Sequence, residues 1–503
     1  MASDSDALTI EPSRYFNSTA PGASARTSGT SQVPEAEVPV PLRTWSYNDD
    51  QALEGPWRQK TVISFDGGGI RGYSSLLILR ALMVEIRAAE IRLSDGLTTA
   101  SSDYPWMSPK SQQRTAVEDQ GDVNENLDDF LPCHYFDYMA GTSTGGLSAI
   151  MLGRMRLSVD NALKQYLEFG NEVFGKPRLW HERSWAWYPR AKYATRRVRG
   201  AFQQMIYRNL PGDHEPMTET RAKTEPFKYR GDRTRTLVFS FRFNRSGGID
   251  HACMWRTYDK PRADHTQQPN DRPDFSPRPT ERVDTFAPES SPTNSTPIWQ
   301  VARATSAAPR FFECIKMPDG NKHVDGGLAV NNPSGATLRE VIRLHGYPPS
   351  LFISLGTGKK GSSDINGGSV PREPDFRLRE RNIDDVRRKQ ALMKYLELGK
   401  HWKDYAVDTE GPNNDWLIDT RTQNVDRCRF NVEGELWKVP LDDWRPKVSG
   451  HVTLKMIQAE TDKYLAKRWV RQNLADMAGK LVEIRRRRAL TERWEYFAVD
   501  TAT

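Results

Sequence analysis

Three short stretches hold the residues able to do chemistry. In "YFDYMAGTSTGGLSAIML", Tyr135 to Leu152, an apolar strand runs into Gly141-Thr142-Ser143-Thr144-Gly145 and then into a helical pattern. This is G-x-S-x-G in the strand-turn-helix setting that gives the spacing meaning. Such a sharp turn crowds the backbone, which explains the glycines on either side, and it holds the Ser143 hydroxyl proud of the sheet near the positive end of the following helix. A serine hydroxyl is a poor nucleophile near neutral pH and needs a base. The chain has 9 His, of which His134, His251, His323 and His345 fall in or near the expected core, none in a recognisable triad setting. A further candidate base is Asp325 in "KHVDGGLAVNNPS", a carboxylate at a strand end whose followers, Gly326 and Gly327, leave room to reach a neighbouring loop. An ordinary turn aspartate would look the same.

The third stretch, "TVISFDGGGIRGYSSLLILRAL" from Thr61 to Leu82, carries G-x-G-x-x-G at Gly67, Gly69 and Gly72. A strand, a glycine turn and a helix N-terminus together aim backbone N–H groups at an anion, either a dinucleotide pyrophosphate or an oxyanion. A dinucleotide site also needs an acidic residue at the end of a second strand about 20 residues on. Glu85 and Glu90 lie near that distance, but inside the helical pattern.

The elements that must position these residues alternate. Strands are predicted over Thr61 to Phe65, Tyr135 to Ala140, Thr236 to Phe243 and Leu351 to Leu355, with helical stretches between them, one over Tyr73 to Arg92. That order predicts an α/β sheet. Residues 1–55, rich in Ser, Thr, Pro, Ala and Gly, read as a disordered tail. Residues 56–360 form the expected catalytic domain, with polar loops or insertions near 94–129, 211–235 and 260–297, and residues 361–503 read as a mostly helical C-terminal region. Cys133, Cys253, Cys314 and Cys428 are far apart in sequence, as in a reduced intracellular protein. No basic and apolar leader opens the chain, and no run of about 18 apolar residues occurs, so the expectation is an intracellular, cytoplasmic protein whose membrane contact is peripheral.

Taken together, "DGGGIRG" at 66–72, "GTSTGG" at 141–146, "ARATSAAPRFF" at 302–312, "VDGGLAVNNPS" at 324–334 and "ISLGTG" at 353–358 resemble the patatin-like phospholipases, in the same order along the chain. The resemblance covers about residues 57–360. It implies a three-layer α/β/α core related to the cytosolic phospholipase A2 catalytic domain. It also implies hydrolysis of lipid acyl esters without calcium, by a Ser-Asp dyad of Ser143 as nucleophile and Asp325 as base. In such an enzyme the N–H groups of Gly67, Gly68 and Gly69 form an oxyanion hole, with Arg71 adding charge near the site or orienting the loop. No cofactor and no metal is required, and a dyad predicts a pH profile without a limb near the ordinary histidine value of about 6.5.

The implied partner is a lipid: a phospholipid, a lysophospholipid or an acylglycerol. The formal charge of +7 and pI near 9.0 suit an anionic membrane surface. Trp185, Trp187 and Tyr188, among Arg and Lys between Arg178 and Gly200, would suit it too, although a core role for the aromatics competes. The run Arg485 to Arg488 reads as a lipid or nucleic-acid patch, or as a solvated helix face; no nucleic-acid partner is expected. A patatin-fold signalling or binding protein with little turnover, and the dinucleotide-binding protein, are the alternative readings.

Overall fold

The computed structural model describes residues 55–94, 100–102, 127–178, 191–210, 216–229, 232–243, 249–259, 296–318, 320–360, 419–421 and 423–498. In chain order the main elements are β1 (Thr61–Phe65), α1 (Gly72–Leu93), β2 (Tyr138–Thr142), α2 (Thr144–Ala149), α3 (Val159–Val173), α4 (Thr195–Asn209), α5 (Glu219–Thr224), β3 (Arg235–Phe243) and β4 (Ile249–Arg256). There follow α6 (Ile298–Thr305), β5 (Ile315–Lys316), β6 (Lys322–Asp325), α7 (Ser334–His345), β7 (Leu351–Leu355), β8 (Asp426–Phe430), α8 (His451–Leu465), α9 (Arg468–Arg488) and α10 (Arg493–Ala498). The strands make one sheet in the order β5-β6-β3-β2-β1-β7-β8, with β4 also paired to β3. Strands β3, β2, β1, β7 and β8 run parallel, whereas β4 and β6 run antiparallel to β3.

Alternation along the strands sorts the core into two layers. Val62, Ala140, Leu237 and Phe352 face Leu338, Val341 and Leu344 of α7. Ile63, Met139, Val238 and Ile353 point the other way, into a larger core built from α1, α2, α3, α6, α8 and α9. This is the α/β sheet that the alternation predicts, in the α/β/α sandwich that the family resemblance implies. The strands at Thr61 and Leu351 begin and end where expected. Strand β2 starts later than expected, because Tyr135 and Asp137 are spent on holding the start of β1: Thr61 Oγ1 donates to the Tyr135 carbonyl at 2.7 Å and Thr61 N–H donates to Asp137 Oδ2 at 2.7 Å.

The C-terminal part is mostly helical, yet it is not appended to the core. Strand β8 pairs in parallel with β7, and α8 and α9 pack on α1. A division of the chain near residue 360 therefore does not correspond to separate packing units. Within 211–235, expected to be a loop, residues Glu219–Thr224 form α5, capped by the Thr218 hydroxyl accepting from Arg221 N–H. The N-terminal stretch to residue 54, most of the other insertions, and Trp185, Trp187 and Tyr188 lie outside the described residues. No helix among the described residues is long and apolar enough to cross a membrane.

The arginine run at the end of α9 is neither a patch nor a solvated face. Arg485 donates to the Ser101 carbonyl at 2.6 Å, Arg486 to Glu90 Oε2 at 2.8 Å and Arg488 to Asp137 Oδ2 at 2.7 Å and the Gln59 carbonyl at 2.5 Å. Arg488 is fully buried, whereas Arg487 leaves 46% of its side chain exposed and pairs with Glu483 one turn back. Helical spacing puts Arg485 and Arg488 on one face, which docks α9 against α1 and β1. Removing one partner of a buried ion pair strands the other, at about 3–5 kcal/mol. Arg488→Met should therefore lower unfolding stability by about that amount, whereas Arg487→Ala should shift it by less than about 0.5 kcal/mol. Urea unfolding monitored by tryptophan fluorescence measures both, and equal effects would refute the docking role.

Candidate active site

One edge of β3 brings Ser143 and Asp325 together. Along that edge β2 runs upward and ends with Thr142 opposite Phe239, while β6 runs downward and ends with Asp325 opposite Ser240. The other edge is taken by β4, which pairs with the same stretch of β3. Strands β2 and β6 thus meet end to end at adjacent positions of one strand. Ser143 follows the end of β2, and its Oγ donates to Asp325 Oδ2 at 2.6 Å, across 182 residues of sequence.

Ser143 is held in a left-handed conformation, φ 55 and ψ −126, which costs a non-glycine residue of order 1–3 kcal/mol. The glycines around it allow the turn by close approach. A Cβ at Gly141 would stand 2.0 Å from the Gly145 carbonyl, and one at Gly145 would stand 2.4 Å from the Phe65 carbonyl. The Ser143 N–H donates to Thr305 Oγ1 at 2.8 Å, and the Thr142 hydroxyl donates to the Val330 carbonyl at 2.6 Å. Two residues beyond Thr305, the Ala307 carbonyl accepts Asp325 N–H at 3.1 Å. The end of α6 therefore holds both members of the pair.

Asp325 is completely buried. Its Oδ1 accepts Gly327 N–H at 2.8 Å, and a Cβ at Gly326 would stand 2.4 Å from the Phe239 carbonyl, so the glycines after Asp325 are set by hydrogen bonding and by space. Burial pushes the carboxyl up from 3.8 to about 7, against the opposing hydrogen bonds from Ser143 and Gly327. This changes the meaning of a pH profile. A carboxyl raised this far would itself give a limb near 7, so a limb in the histidine range does not by itself point to a histidine base.

The glycine loop lies against this pair, a Cβ at Gly67 falling 3.2 Å from the Ser143 Cβ. Its donors are not equivalent. The Gly67 N–H donates to the Asn331 carbonyl at 3.0 Å and is not available to an oxyanion, which corrects the expectation for that residue. The Gly67 carbonyl accepts Thr357 Oγ1 at 2.9 Å, the Gly68 carbonyl accepts Arg71 Nε at 3.3 Å and the Gly69 carbonyl accepts the Tyr166 hydroxyl at 2.5 Å. In a planar trans peptide the carbonyl and the next N–H point in opposite directions. Anchoring the Gly67 and Gly68 carbonyls therefore fixes the N–H groups of Gly68 and Gly69, for which no acceptor occurs among the described residues. Gly69 has φ +57 and lies against Leu441, whose carbonyl also accepts Ile70 N–H at 2.8 Å.

Arg71 is buried rather than exposed, and burial draws its guanidinium down to about 10, still charged at neutral pH. It also donates to the Trp437 carbonyl at 3.1 Å, so it braces the loop. Gly72 is needed for space, since a Cβ there would stand 2.7 Å from the Tyr166 hydroxyl. The histidines are engaged elsewhere. His323 Nδ1 lies 2.9 Å from Ser240 Oγ, His345 Nε2 lies 2.7 Å from the Tyr138 hydroxyl and His134 Nδ1 lies 2.6 Å from Ser101 Oγ, while His251 is exposed. Thr305, Thr357, Tyr166 and Asn331 serve the site without having been singled out as functional from the sequence; only Thr305, Thr357 and Asn331 lie in motifs that could have flagged them.

Residues 63–338 match the family described as Patatin-like phospholipase, which is more than half of the 503 residues. The chain belongs to the patatin-like phospholipase family. It is similar to calcium-independent phospholipase A2-gamma of Oryctolagus cuniculus, 26% identical over 252 residues, covering 48% of this chain and 26% of that protein. Patatin-like protein 1 of Oryza sativa subsp. indica is 22% identical over 340 residues, 61% of each chain. Among solved structures, VipD from Legionella pneumophila aligns over 81% of this chain and 67% of its own, at 11% identity and a TM-score of 0.33. This patatin-like chain thus spans about a quarter of the length of the calcium-independent relative, 26%. The family match ends at residue 338, so Thr357, Trp437 and Leu441, which hold the glycine loop, lie beyond it.

The raised Asp325 value fixes a stability slope. Between 3.8 and about 7 the folded patatin-like chain keeps a proton that the unfolded chain has lost, so the contribution of Asp325 is full at low pH and disappears as pH rises through about 7. Asp325→Asn removes that slope while keeping an acceptor for Gly327 N–H and a polar partner for Ser143. Its melting temperature should exceed that of the wild type above about pH 8, and the gap should close towards about pH 4. A gap independent of pH would contradict the raised value.

Proposed function

We propose that this chain is a serine acyl hydrolase that cleaves carboxylic ester bonds of lipids, with Ser143 as nucleophile and Asp325 as general base. The observation that carries the reading is the 2.6 Å hydrogen bond from Ser143 Oγ to a buried Asp325 carboxylate. The Ser143 hydroxyl gives its proton to Asp325 as Oγ bonds to the acyl carbon, and the carbonyl π pair moves onto oxygen. The Gly68 and Gly69 N–H groups hold that oxyanion. Collapse expels the alcohol oxygen, which takes the proton from Asp325 and leaves acyl-Ser143. Water then repeats the route, giving a proton to Asp325 as it attacks, and the fatty acid leaves as Ser143 regains its proton. A base poised near 7 suits this exchange, since it can both take and return a proton at neutral pH.

Membership of the family points to a lipid acyl group, and the charge of +7 favours peripheral contact with an anionic membrane surface. The relatives named as calcium-independent support a reaction that proceeds without calcium.

Ser143→Ala and Asp325→Asn should each remove most turnover of phospholipid and p-nitrophenyl esters, whereas His323→Ala should cost far less and a chelator should cost nothing. Activity should rise with pH through about 7, as Asp325 loses its proton. A carboxyl pKa hardly moves with temperature, whereas an imidazole pKa falls on warming, so a limb that shifts with temperature would overturn the assignment of base. Gly68→Ala is a separate test. Its Cβ would fall 2.5 Å from the Thr357 Cβ, displacing the anchor of the Gly67 carbonyl, and kcat should drop by about 10² or more. Unchanged kcat in that variant would refute the oxyanion role of the loop.

A further inference from the structure

We infer that Arg429, on β8 and outside the family match, is a positioning residue for the oxyanion loop through its ion pair with Asp66. Arg429 Nη2 donates to Asp66 Oδ2 at 2.6 Å and Nη1 to Asp66 Oδ1 at 3.3 Å, so the guanidinium grips both carboxylate oxygens. Asp66 is completely buried and Arg429 leaves 7% of its side chain exposed. Asp66 is the residue at which β1 becomes the glycine loop. Its N–H still belongs to the sheet, donating to the Leu355 carbonyl at 2.9 Å, and its carbonyl lies against Gly145, two residues past Ser143. Fixing its side chain fixes the direction in which the peptides of Gly67, Gly68 and Gly69 leave the sheet.

The same guanidinium reaches the second loop of the site. Arg429 Nη1 donates to Ser354 Oγ at 2.7 Å, Ser354 Oγ lies 2.8 Å from Ser334 Oγ, and Ser334 Oγ donates to Asn332 Oδ1 at 2.7 Å. Asn331, next in the chain, supplies the carbonyl that takes Gly67 N–H. One buried cation therefore sets the glycine loop from one side and the 331–334 turn from the other. A planar bidentate fork can do this and a point charge cannot, so lysine is not equivalent to arginine here.

This inference rests on the hydrolase reading, and its effect belongs to the transition state. Arg429→Lys should lower kcat for p-nitrophenyl and phospholipid esters by about ten- to a hundred-fold while KM stays within about two-fold. A trifluoromethyl ketone analogue, which forms a tetrahedral adduct on serine, should bind more weakly by the same factor. Binding of a non-hydrolysable ether lipid should not change. A structural role alone would not separate these readouts. Should Arg429→Lys fail to fold, the double variant Asp66→Asn with Arg429→Gln removes both charges and keeps an amide pair, and the same separation is expected. Loss of folding in both variants would overturn the inference, because the pair would then hold the sheet rather than the loop. A wild type that neither turns over these esters nor takes fluorophosphonate at Ser143 removes the hydrolase reading, and the inference with it. A wild type that does both, beside a folded Arg429→Lys with kcat within two-fold, removes the positioning role alone.

Discussion

The site depends on two strands sharing one edge of a third. Strand β3 is long enough to pair with β2 over its first half and with β6 over its second, and the two partners approach from opposite directions. A strand pair is held by a ladder of hydrogen bonds, so their meeting point is fixed to within one residue. The Ser143 turn can then be strained, because the strand before it, the helix after it and Thr305 beside it all determine its position. The positions of Ser143 and Asp325 are properties of the sheet rather than of flexible loops.

Around this junction the glycine loop is held by its carbonyls. Thr357, Arg71 and Tyr166 come from three different parts of the chain, and each takes the acceptor side of a peptide. What remains on the other side is the pair of Gly68 and Gly69 N–H groups, with directions fixed by the anchored carbonyls. Several of these supports depend on the C-terminal part. Leu441, Trp437 and Arg429 reach the loop from a region that also contributes β8, and α9 is tied back to β1 and α1 by buried arginines. The layer that carries Ser143 and Asp325 and the C-terminal layer form one packed unit among the described residues.

The residues of the candidate site were more legible in the sequence than the groups that hold them. The Ser143 turn was legible because a sharp strand-to-helix turn needs glycines at fixed offsets, a local steric rule, whereas the glycines after Asp325 fit an ordinary turn as well, and only the family resemblance paired the two residues. Strands β1 and β7 were legible because they are short runs, apolar but for Thr61, Ser64 and Ser354, buried on both faces. Strand β8, "DRCRF", is charged at Asp426, Arg427 and Arg429, the last accommodated by the distant Asp66, and β5 has only 2 residues, so neither leaves a pattern to read. The partners of the loop depend on long-range register: 290 residues separate Thr357 from Gly67, and 363 separate Arg429 from Asp66. The burial of the arginine run escapes the sequence for a related reason. Whether a cation is solvated or buried depends on the carboxylates and carbonyls that the fold brings to it, and Glu90 and Asp137 lie several hundred residues upstream.

That run has a consequence for how the chain meets proteases. Four adjacent arginines are, in an extended chain, a series of overlapping cleavage sites for any enzyme that cuts after a basic residue. In the fold the backbone there is helical, and the side chains of Arg485 and Arg488 are sealed against Ser101 and Asp137. A protease cleft binds extended backbone, so a cut within 485–488 requires α9 to leave its seat first. The most basic stretch of the chain thus reports its own undocking, silent while the C-terminal helices are in place and exposed to proteolysis once they release.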